Sequence, residues 1–305
     1  MIRKDFLKAI GLAVATQALP KMGGATMIPS QQTQAVSLKK ALGFGMIKED
    51  IPLLDKFKLV KDLGFDGIEF NGPMGEPLRD IIKASEQTGI KVPAMVNHHH
   101  WAKPLSDPDQ AVRDFIVDSV AKTLQQAKEL GADTVLVVPG VVNDKVSYET
   151  AYKNAQESVK RLIPTAEKTG VKIGLENVWN NFILSPVEAK RFVDEIGHPL
   201  VGWYFDIGNV LRYGWPEHWI ETLNKRIVKL HVKEFSRDIM MNQGLGKGFN
   251  VPLTEGDINW PLVMKKINEI NYQGGWMTLE VSAGDRTHLA ALSKALDKII
   301  SYSKA

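Results

Sequence analysis

Short apolar runs alternate eight times with longer amphipathic stretches between residue 41 and the C-terminal end of this chain. The short runs are rich in β-branched and aromatic residues, which is typical of buried strands, and the longer stretches have helical periodicity. Eight strand-then-helix units with right-handed crossovers predict class α/β and a single (β/α)8 TIM barrel. The predicted strands are residues 41–47, 67–71, 92–97, 134–139, 172–178, 201–207, 227–233 and 276–281.

The ends of the predicted helices carry matching local signals. Prolines stand near several helix starts, where a missing N–H is harmless, and glycines follow several helix ends, where a left-handed residue is favoured. An open doubly wound sheet is the alternative fold, but no G-x-G-x-x-G phosphate loop follows the first strand. The longest irregular stretch is residues 234–259, and we expect it to act as a lid. The predicted helices are residues 52–63, 77–88, 108–130, 147–169, 186–196, 216–224, 260–271 and 286–302.

The first 35 residues have the layout of an export signal. A charged head that includes Arg3 and Lys4 precedes a short apolar stretch at 9–19 and then small residues. The head resembles the twin-arginine pattern R-R-x-F-L-K, with Lys4 in place of the second arginine. We therefore expect an export signal and flexible leader at 1–35, a single catalytic domain at 36–305, and a periplasmic location, with the cytoplasm as the alternative. The apolar stretch is too short to span a bilayer, and no later segment is long enough.

The composition excludes several kinds of chemistry. The 305 residues include 38 Lys and Arg against 35 Asp and Glu, so the formal net charge is only +3. A chain this close to neutral provides no field that would attract nucleic acid, and we expect no such partner. The chain has no cysteine, which excludes disulfides, thiolate zinc sites and a cysteine nucleophile.

Four ionisable side chains end predicted strands five to eight: Glu176, Asp206, His231 and Glu280. The carboxyl ends of parallel strands meet at one edge, which is where barrels place their ligand sites. Each residue by itself could simply begin a solvated loop, but four on successive strands disfavour that interpretation. Three carboxylates and one imidazole are suitable ligands for one hard or borderline divalent ion, such as Mn²⁺, Mg²⁺ or Co²⁺. The pattern therefore predicts a metal enzyme.

From about residue 41 to its end, the chain resembles the sugar phosphate isomerase/epimerase family, which has a xylose-isomerase-like barrel. One segment that carries the resemblance is E-G-D-I-N-W at 255–260, which is similar to the family loop G-E-G-D-x-[DN]-W, with Thr254 where glycine is usual. The other segments that carry the resemblance are G-I-E-F-N at 67–71, G-L-E-N at 174–177, F-D-I-G-N at 205–209, L-H-V-K-E at 230–234 and T-L-E at 278–280.

The resemblance implies that Glu176, Asp206, His231 and Glu280 bind one divalent metal ion. It also implies that Glu176 and Glu280 are the catalytic acid and base on opposite faces of a small carbohydrate substrate. The chemistry agrees, because a C–H bond beside a carbonyl is too weakly acidic for an unaided carboxylate. A metal that binds the carbonyl and an adjacent hydroxyl stabilises the enediolate that forms.

Five further residues are predicted to contact the substrate. Arg237 follows His231 by six residues, an offset at which family epimerases carry an arginine near the substrate oxygens. Strand alternation aims Lys233 into the site and Glu234 away from it. The remaining predicted contacts are Asn209, three residues after the metal aspartate, His100 in the triplet 98–100, and Glu69 at the end of the second strand.

Two departures from ketose 3-epimerases limit the prediction of the substrate. Phe182 stands where some of those enzymes have a second glutamate, and Asn209 stands where they have a histidine. A metal-dependent lyase that eliminates from 3-oxo-glycosides is therefore the main alternative to an isomerase, and export favours it because phosphorylated sugars are scarce outside the cytoplasm. Endonuclease IV-like DNA repair and non-catalytic sugar binding are weaker alternatives. Assembly into a homo-oligomer is compatible with the sequence but is not specified by it.

Overall fold

Eight parallel strands close into a barrel in which every strand pairs with its neighbours in chain order. This computed structural model describes residues 36–75 and 77–304, so the predicted export signal and leader at 1–35 lie outside the described residues. The closed barrel confirms the predicted (β/α)8 fold. The strands are β1 Lys39–Gly43, β2 Gly67–Gly72, β3 Ala94–Asn97, β4 Thr134–Val137, β5 Lys172–Glu176, β6 Val201–Asp206, β7 Ile227–Val232 and β8 Trp276–Leu279.

The helices begin and end at the signals that the sequence contains. Asp109, Ser147 and Ser185 each accept a hydrogen bond from a backbone N–H of the helix that follows, and Gly131 and Gly170 end two helices in the left-handed conformation. The helices of the described residues are α1 Leu53–Asp62, α2 Leu78–Thr88, α3 Gln110–Leu130, α4 Tyr148–Thr169, α5 Pro186–Ile196, α6 Pro216–Leu223, α7 Arg237–Gln243, α8 Trp260–Glu269 and α9 Arg286–Ser301.

The predicted lid is more ordered than the sequence pattern indicates. Residues 234–259 contain α7 and a 3-10 helix, Leu245–Phe249, where an irregular loop was expected. The Ser236 side chain caps α7 by accepting from the backbone N–H of Ile239 at 3.3 Å. One capping serine is a weak signal among so many glycines, which is why the prediction failed here.

Alternation along β6 separates the helix layer from the barrel interior. Trp203 and Phe205 point outwards and pack against Trp219 of α6, at ring-centroid distances of 6.5 and 6.0 Å. Tyr204 and Asp206 point the other way, and both are fully buried. The outward set therefore anchors the helices, while the inward set carries polar groups to the carboxyl end of the barrel.

None of the helices within 36–75 and 77–304 combines the length and apolarity that crossing a bilayer demands.

A methyl group at Gly202 should destabilise the barrel. Its Cβ would lie 2.8 Å from the backbone oxygen of Arg226 and closer still to the Val228 side chain. We expect Gly202→Ala to lower the free energy of unfolding by about 1–3 kcal/mol, because β6 and β7 would have to separate. Urea denaturation measures this loss. Gly246→Ala is the matched control, since its Cβ meets nothing within 4 Å; equal stability of the two variants would contradict the prediction.

Candidate metal centre

Four predicted metal ligands come together at the carboxyl end of the barrel. Glu176 and Asp206 are the last residues of β5 and β6, His231 lies near the end of β7, and Glu280 directly follows β8. Asp206 pairs in register with His231 across β6 and β7. One ligand atom from each of the four residues lies within 4.8 Å of all the others.

His231 has a carboxylate at both ring nitrogens. Nδ1 lies 2.8 Å from Glu176 Oε1 and 3.5 Å from Glu280 Oε2, so it faces the two glutamates. Nε2 lies 2.9 Å from Glu69 Oε1, and the Tyr204 hydroxyl donates to the other oxygen of that carboxylate. Burial lowers the pKa of His231, but the charges of Glu69 and Glu280 and the hydrogen bonds outweigh it and hold that pKa well above its ordinary value. A carboxylate at Nε2 is the usual support that orients a metal-ligating histidine.

Asp206 is fully buried and is fixed by its backbone as well as its side chain. Its Oδ1 accepts from the backbone N–H of Asn209 at 2.7 Å, and Asn177 bonds both its N–H and its carbonyl. No donor among the described residues meets Oδ2 with hydrogen-bond geometry, although Lys233 Nζ lies 2.8 Å away. Burial raises the pKa of Asp206 even though the charge of Lys233 opposes this shift. Asp206 Oδ2 therefore has an ion-pair partner in Lys233 but no aligned hydrogen bond.

Lys233 provides positive charge between two of the carboxylates. Its Nζ lies 2.8 Å from Asp206 Oδ2 and 2.6 Å from Glu280 Oε2. Burial lowers the pKa of Lys233, but the nearby carboxylates outweigh it and raise that pKa. Partial burial raises the pKa of Glu280, whereas the charges of Lys233 and His231 lower it to about 2. Burial and the charge of Glu280 raise the pKa of Glu176 to about 7.

This donor set fits one divalent cation. Three carboxylates share one ammonium and one imidazole, which leaves an excess of negative charge in a largely buried place. Asp206 Oδ2 is a buried carboxylate oxygen, and it shares its one nearby ammonium, that of Lys233, with Glu280. Carboxylate oxygens and an imidazole nitrogen are the ligands that hard and borderline divalent ions prefer.

Three cavities meet at this group, and Glu280 lines all of them. The central cavity, of about 440 Å³, also contacts Glu176, Lys233 and Asn209. The cavity beside Phe44, which we call the Phe44 cavity, is about 560 Å³. The cavity against α9, which we call the Leu292 cavity, is about 820 Å³ and shares Asn209 and Lys233 with the central one.

The histidine triplet lies in the turn directly after β3, and its side chains point to different places. His98 and His100 line the central cavity, whereas His99 Nδ1 hydrogen-bonds the Ser119 hydroxyl at 2.8 Å. The backbone N–H of Val138 donates to His100 Nδ1 at 3.3 Å. Burial lowers the pKa of His100 to about 4, so its ring is neutral near pH 7. His100 is thus placed to donate from Nε2, and its contact with substrate stays a prediction.

Three other predicted substrate contacts also lie at the cavities. Lys233 and Asn209 line the central cavity, and the Asn209 side chain donates to the carbonyl of Asn177 at 2.9 Å. Glu69 lines the Phe44 cavity, but both of its oxygens are already bonded, to His231 and Tyr204. The structure therefore gives Glu69 a supporting place behind the histidine, which its position in the sequence does not reveal.

Arg237 is not among the residues that line the three cavities. Its Nε donates to the carbonyl of Leu211 at 2.8 Å and its Nη2 to that of Gly214 at 2.5 Å. The guanidinium also stacks over the Trp215 ring, 5.0 Å from the centroid. Arg237 therefore ties α7 to the loop that follows β6. A direct substrate contact by Arg237 stays a prediction, and this arrangement does not provide it.

Two supporting residues were missed at the level of sequence. Asn177, which holds Asp206, follows Glu176 directly in G-L-E-N, but sequence alone does not show that it reaches β6. Glu234, expected only to point away from the site, accepts from the backbone N–H of Thr254 and the indole N–H of Trp260. It therefore joins the beginning of the predicted lid, residues 234–259, to its end. Both partnerships join segments that are distant along the chain.

Fold and site together define a (β/α)8 barrel whose carboxylate and histidine side chains are suited to a divalent ion. The model of the xylose isomerase-like TIM barrel family matches residues 57–301. The chain belongs to this family, which confirms its resemblance to the sugar phosphate isomerases and epimerases.

Several named relatives are sugar epimerases. An L-ribulose-5-phosphate 3-epimerase of Salmonella paratyphi A is 22% identical over 276 residues, which cover 85% of this chain and 94% of that protein. The solved structure of an L-ribulose 3-epimerase superimposes with a TM-score of 0.73 at 16% identity, covering 88% of this chain and 96% of that one. The structure of a 3-keto-D-glucoside 4-epimerase from E. coli gives a TM-score of 0.70 at 17% identity, covering 87% and 99%. At these identities the solved structures support the fold alone.

Replacing Arg237 should cost stability more than it affects substrate binding. Arg237→Lys keeps the charge but loses the fork that bonds two carbonyls, so we expect unfolding to become easier by about 1.5–3 kcal/mol. Urea denaturation measures the change, and Arg79→Lys, at an arginine whose side chain is 84% exposed, is the control. An unchanged stability together with a raised KM would instead support a direct contact between Arg237 and substrate.

Proposed function

We propose that this chain is a divalent-metal-dependent sugar isomerase or epimerase that moves a proton on a carbon beside a carbonyl. The observation that carries the proposal is the meeting of four ligand atoms within 4.8 Å, from four successive strands. Its named relatives are epimerases, that is, isomerases, which supports the same class. The proposed partner is a small carbohydrate.

We assign the proton transfers to Glu176 and Glu280. They come from β5 and β8, the two outer strands of the group, and each approaches His231 Nδ1. Two carboxyl groups placed apart in this way can act on different faces of one carbon. One takes the proton from the carbon, and the other returns a proton to the opposite face or to the neighbouring carbon. Exchange with water then restores both groups, so the net reaction is isomerisation without a co-reactant.

A divalent ion held by Glu176, Asp206, His231 and Glu280 would supply Lewis acidity, which stabilises negative charge on the substrate oxygens. We propose Mn²⁺, Mg²⁺ or Co²⁺ for this place, because oxygen donors predominate. The protein contributes the orientation. Glu69 holds the His231 ring, and the Asn209 backbone N–H holds Asp206.

Elimination from a 3-oxo-glycoside is the second candidate function. It begins with the same removal of a proton beside a carbonyl, but a substituent then leaves from the neighbouring carbon. The Leu292 cavity favours this candidate because it joins the central cavity at Lys233 and Glu280 and has room for a leaving group. The two candidates share residues and differ in the fate of the substituent.

We also propose that the chain is exported, on the basis of the charged head and short apolar stretch within residues 1–35. Cell fractionation tests this, since recovery with the periplasmic proteins is the expected result.

Metal should stabilise the folded protein. We expect Mn²⁺ to raise the midpoint of thermal unfolding and a chelator to reverse the change, because an ion that binds only the folded state favours it. His231→Ala should weaken binding by removing a ligand. Glu69→Gln should lower the affinity about 10–100-fold by freeing the ring. Isothermal titration measures both, with the exposed Glu129→Gln as control. Equal affinities in all these proteins would refute the metal assignment.

Replacing either proposed acid/base glutamate by glutamine should slow turnover strongly. The amide keeps an oxygen that can bind the metal but does not transfer a proton. We expect Glu280→Gln to keep bound Mn²⁺ but to slow substrate proton exchange by about 10²–10⁴-fold, since an amide does not transfer the proton. Incorporation of solvent deuterium, followed by NMR, measures the rate, and elemental analysis measures the metal. Glu129→Gln is again the control. Unchanged exchange in Glu280→Gln would remove the assignment.

A further inference from the structure

At the end of the barrel where phosphate groups are usually bound, the backbone N–H donors already bond side chains of this chain. (β/α)8 barrels often bind phosphate at the loops after strands seven and eight, with help from a helix N-terminus. Here α9 follows β8, and its first N–H groups are taken by two carboxylates. Arg286 N donates to Glu49 Oε1 at 3.0 Å, and His288 N donates to Asp285 Oδ1 at 2.9 Å.

The helices after β7 offer no better place. α7 has only seven residues, and its first N–H donates to a third carboxylate, that of Asp257, at 2.5 Å. α8 has Pro261 in its first turn, which lacks an N–H, and Asn259 caps Leu262 N at 3.2 Å. A phosphate dianion would therefore meet negative charge and occupied donors at these helices.

The cavities themselves contain little positive charge to replace those donors. Among the described residues that line the three cavities, Lys233 is the only lysine or arginine, and it lies between Asp206 and Glu280. Lys56 and Arg212 stack over lining aromatic rings but do not themselves line a cavity. A phosphorylated sugar would thus add two negative charges to a place already rich in carboxylates.

The Leu292 cavity has acidic residues and a group of apolar residues in its wall, which suits an uncharged substituent with apolar surface. It is continuous with the central cavity through Lys233 and Glu280. Beyond them its wall combines apolar residues with polar ones, which are Glu234, Asn250, Thr254, Glu255, Ser282 and His288. Its volume of about 820 Å³, without the central cavity, already falls in the range of small-molecule binding sites. The apolar wall residues are Phe249, Val251, Pro252, Leu253, Val281, Ala291, Leu292 and Ala295.

We infer that the substrate is an uncharged glycoside, oxidised to a ketone on its sugar ring, and not a sugar phosphate. The ring lies in the central cavity, and the apolar substituent lies in the Leu292 cavity. This inference rests on the proposed function, because the ring ketone is what makes the neighbouring C–H removable. It separates this chain from its relatives named as ribulose-phosphate epimerases.

Solvent-deuterium exchange across four compounds tests the substrate class. The compounds are L-ribulose, L-ribulose 5-phosphate, a methyl 3-oxo-glucoside and a phenyl 3-oxo-glucoside, each with Mn²⁺. We expect kcat/KM to be at least tenfold higher for the phenyl glycoside than for L-ribulose, and lowest for the phosphate. A phosphate ester that reacts as fast as L-ribulose or faster overturns the inference, and so does a phenyl glycoside that reacts no faster than the methyl one.

A cavity-filling variant tests where the substituent lies. Ala295→Phe should lower the phenyl-to-methyl ratio of kcat/KM at least tenfold, while Lys294→Phe, at an exposed neighbour on α9, should leave that ratio unchanged. Ala295→Gln is the smaller replacement if the phenylalanine variant does not fold, and a lower ratio is expected there too. An unchanged ratio in a folded Ala295 variant overturns the assignment of this cavity.

Ligand binding to a variant without turnover provides a second measurement. Its outcomes distinguish a wrong substrate class from a wrong proposed function. In Glu176→Gln, titration with the phenyl glycoside should give heat, and titration with inorganic phosphate should give none; tight phosphate binding overturns the inference. The proposed function fails if no compound exchanges deuterium, or if exchange survives a chelator. The inference alone fails if exchange is metal-dependent and the phosphate ester is preferred.

Discussion

The crowding of carboxylates at the carboxyl end of the barrel is the constraint on which the rest of the site depends. Three acids from β5, β6 and β8 lie within 4.8 Å of one another and of His231, in a place where water screens their repulsion poorly. Such a group persists only if positive charge is near. Lys233 and His231 supply part of it, and a divalent cation bound by the four side chains would supply the remainder.

The supporting residues follow from the same constraint. Glu69 and Tyr204 fix the histidine ring, and Asn177 fixes the backbone of Asp206. These hydrogen bonds hold His231 and Asp206 in place beside the other two carboxylates. Further out, carboxylates cover the N-termini of α7 and α9. Among the described residues that line the three cavities, Lys233 is the only lysine or arginine. The proposals of a bound cation and of an uncharged substrate both rest on this balance of charge.

Much of the fold and the centre of the site could be predicted from the sequence. Strand and helix periodicity gave the barrel, and apolar runs that end in an ionisable residue marked Glu176, Asp206, His231 and Glu280. The supporting contacts could not be predicted in the same way. The lid helix α7 depends on one capping serine. Arg237 matches a family position by its offset from His231. Its side chain, however, donates to carbonyl groups of the loop after β6. An offset fixes the place of a Cα atom but not the direction of a long, flexible side chain.

The sequence by itself determined the order of the strands and which side chains end them, because periods of two and of 3.6 residues and the glycine helix stops are local properties. Only the tertiary structure decided what those side chains meet. Glu69 reaches His231 across 162 residues of chain, and the Glu49 carboxylate accepts from the backbone N–H of Arg286 across 237. Barrel closure brings these segments together, and the resulting balance of charge depends on distances in space that no local pattern records.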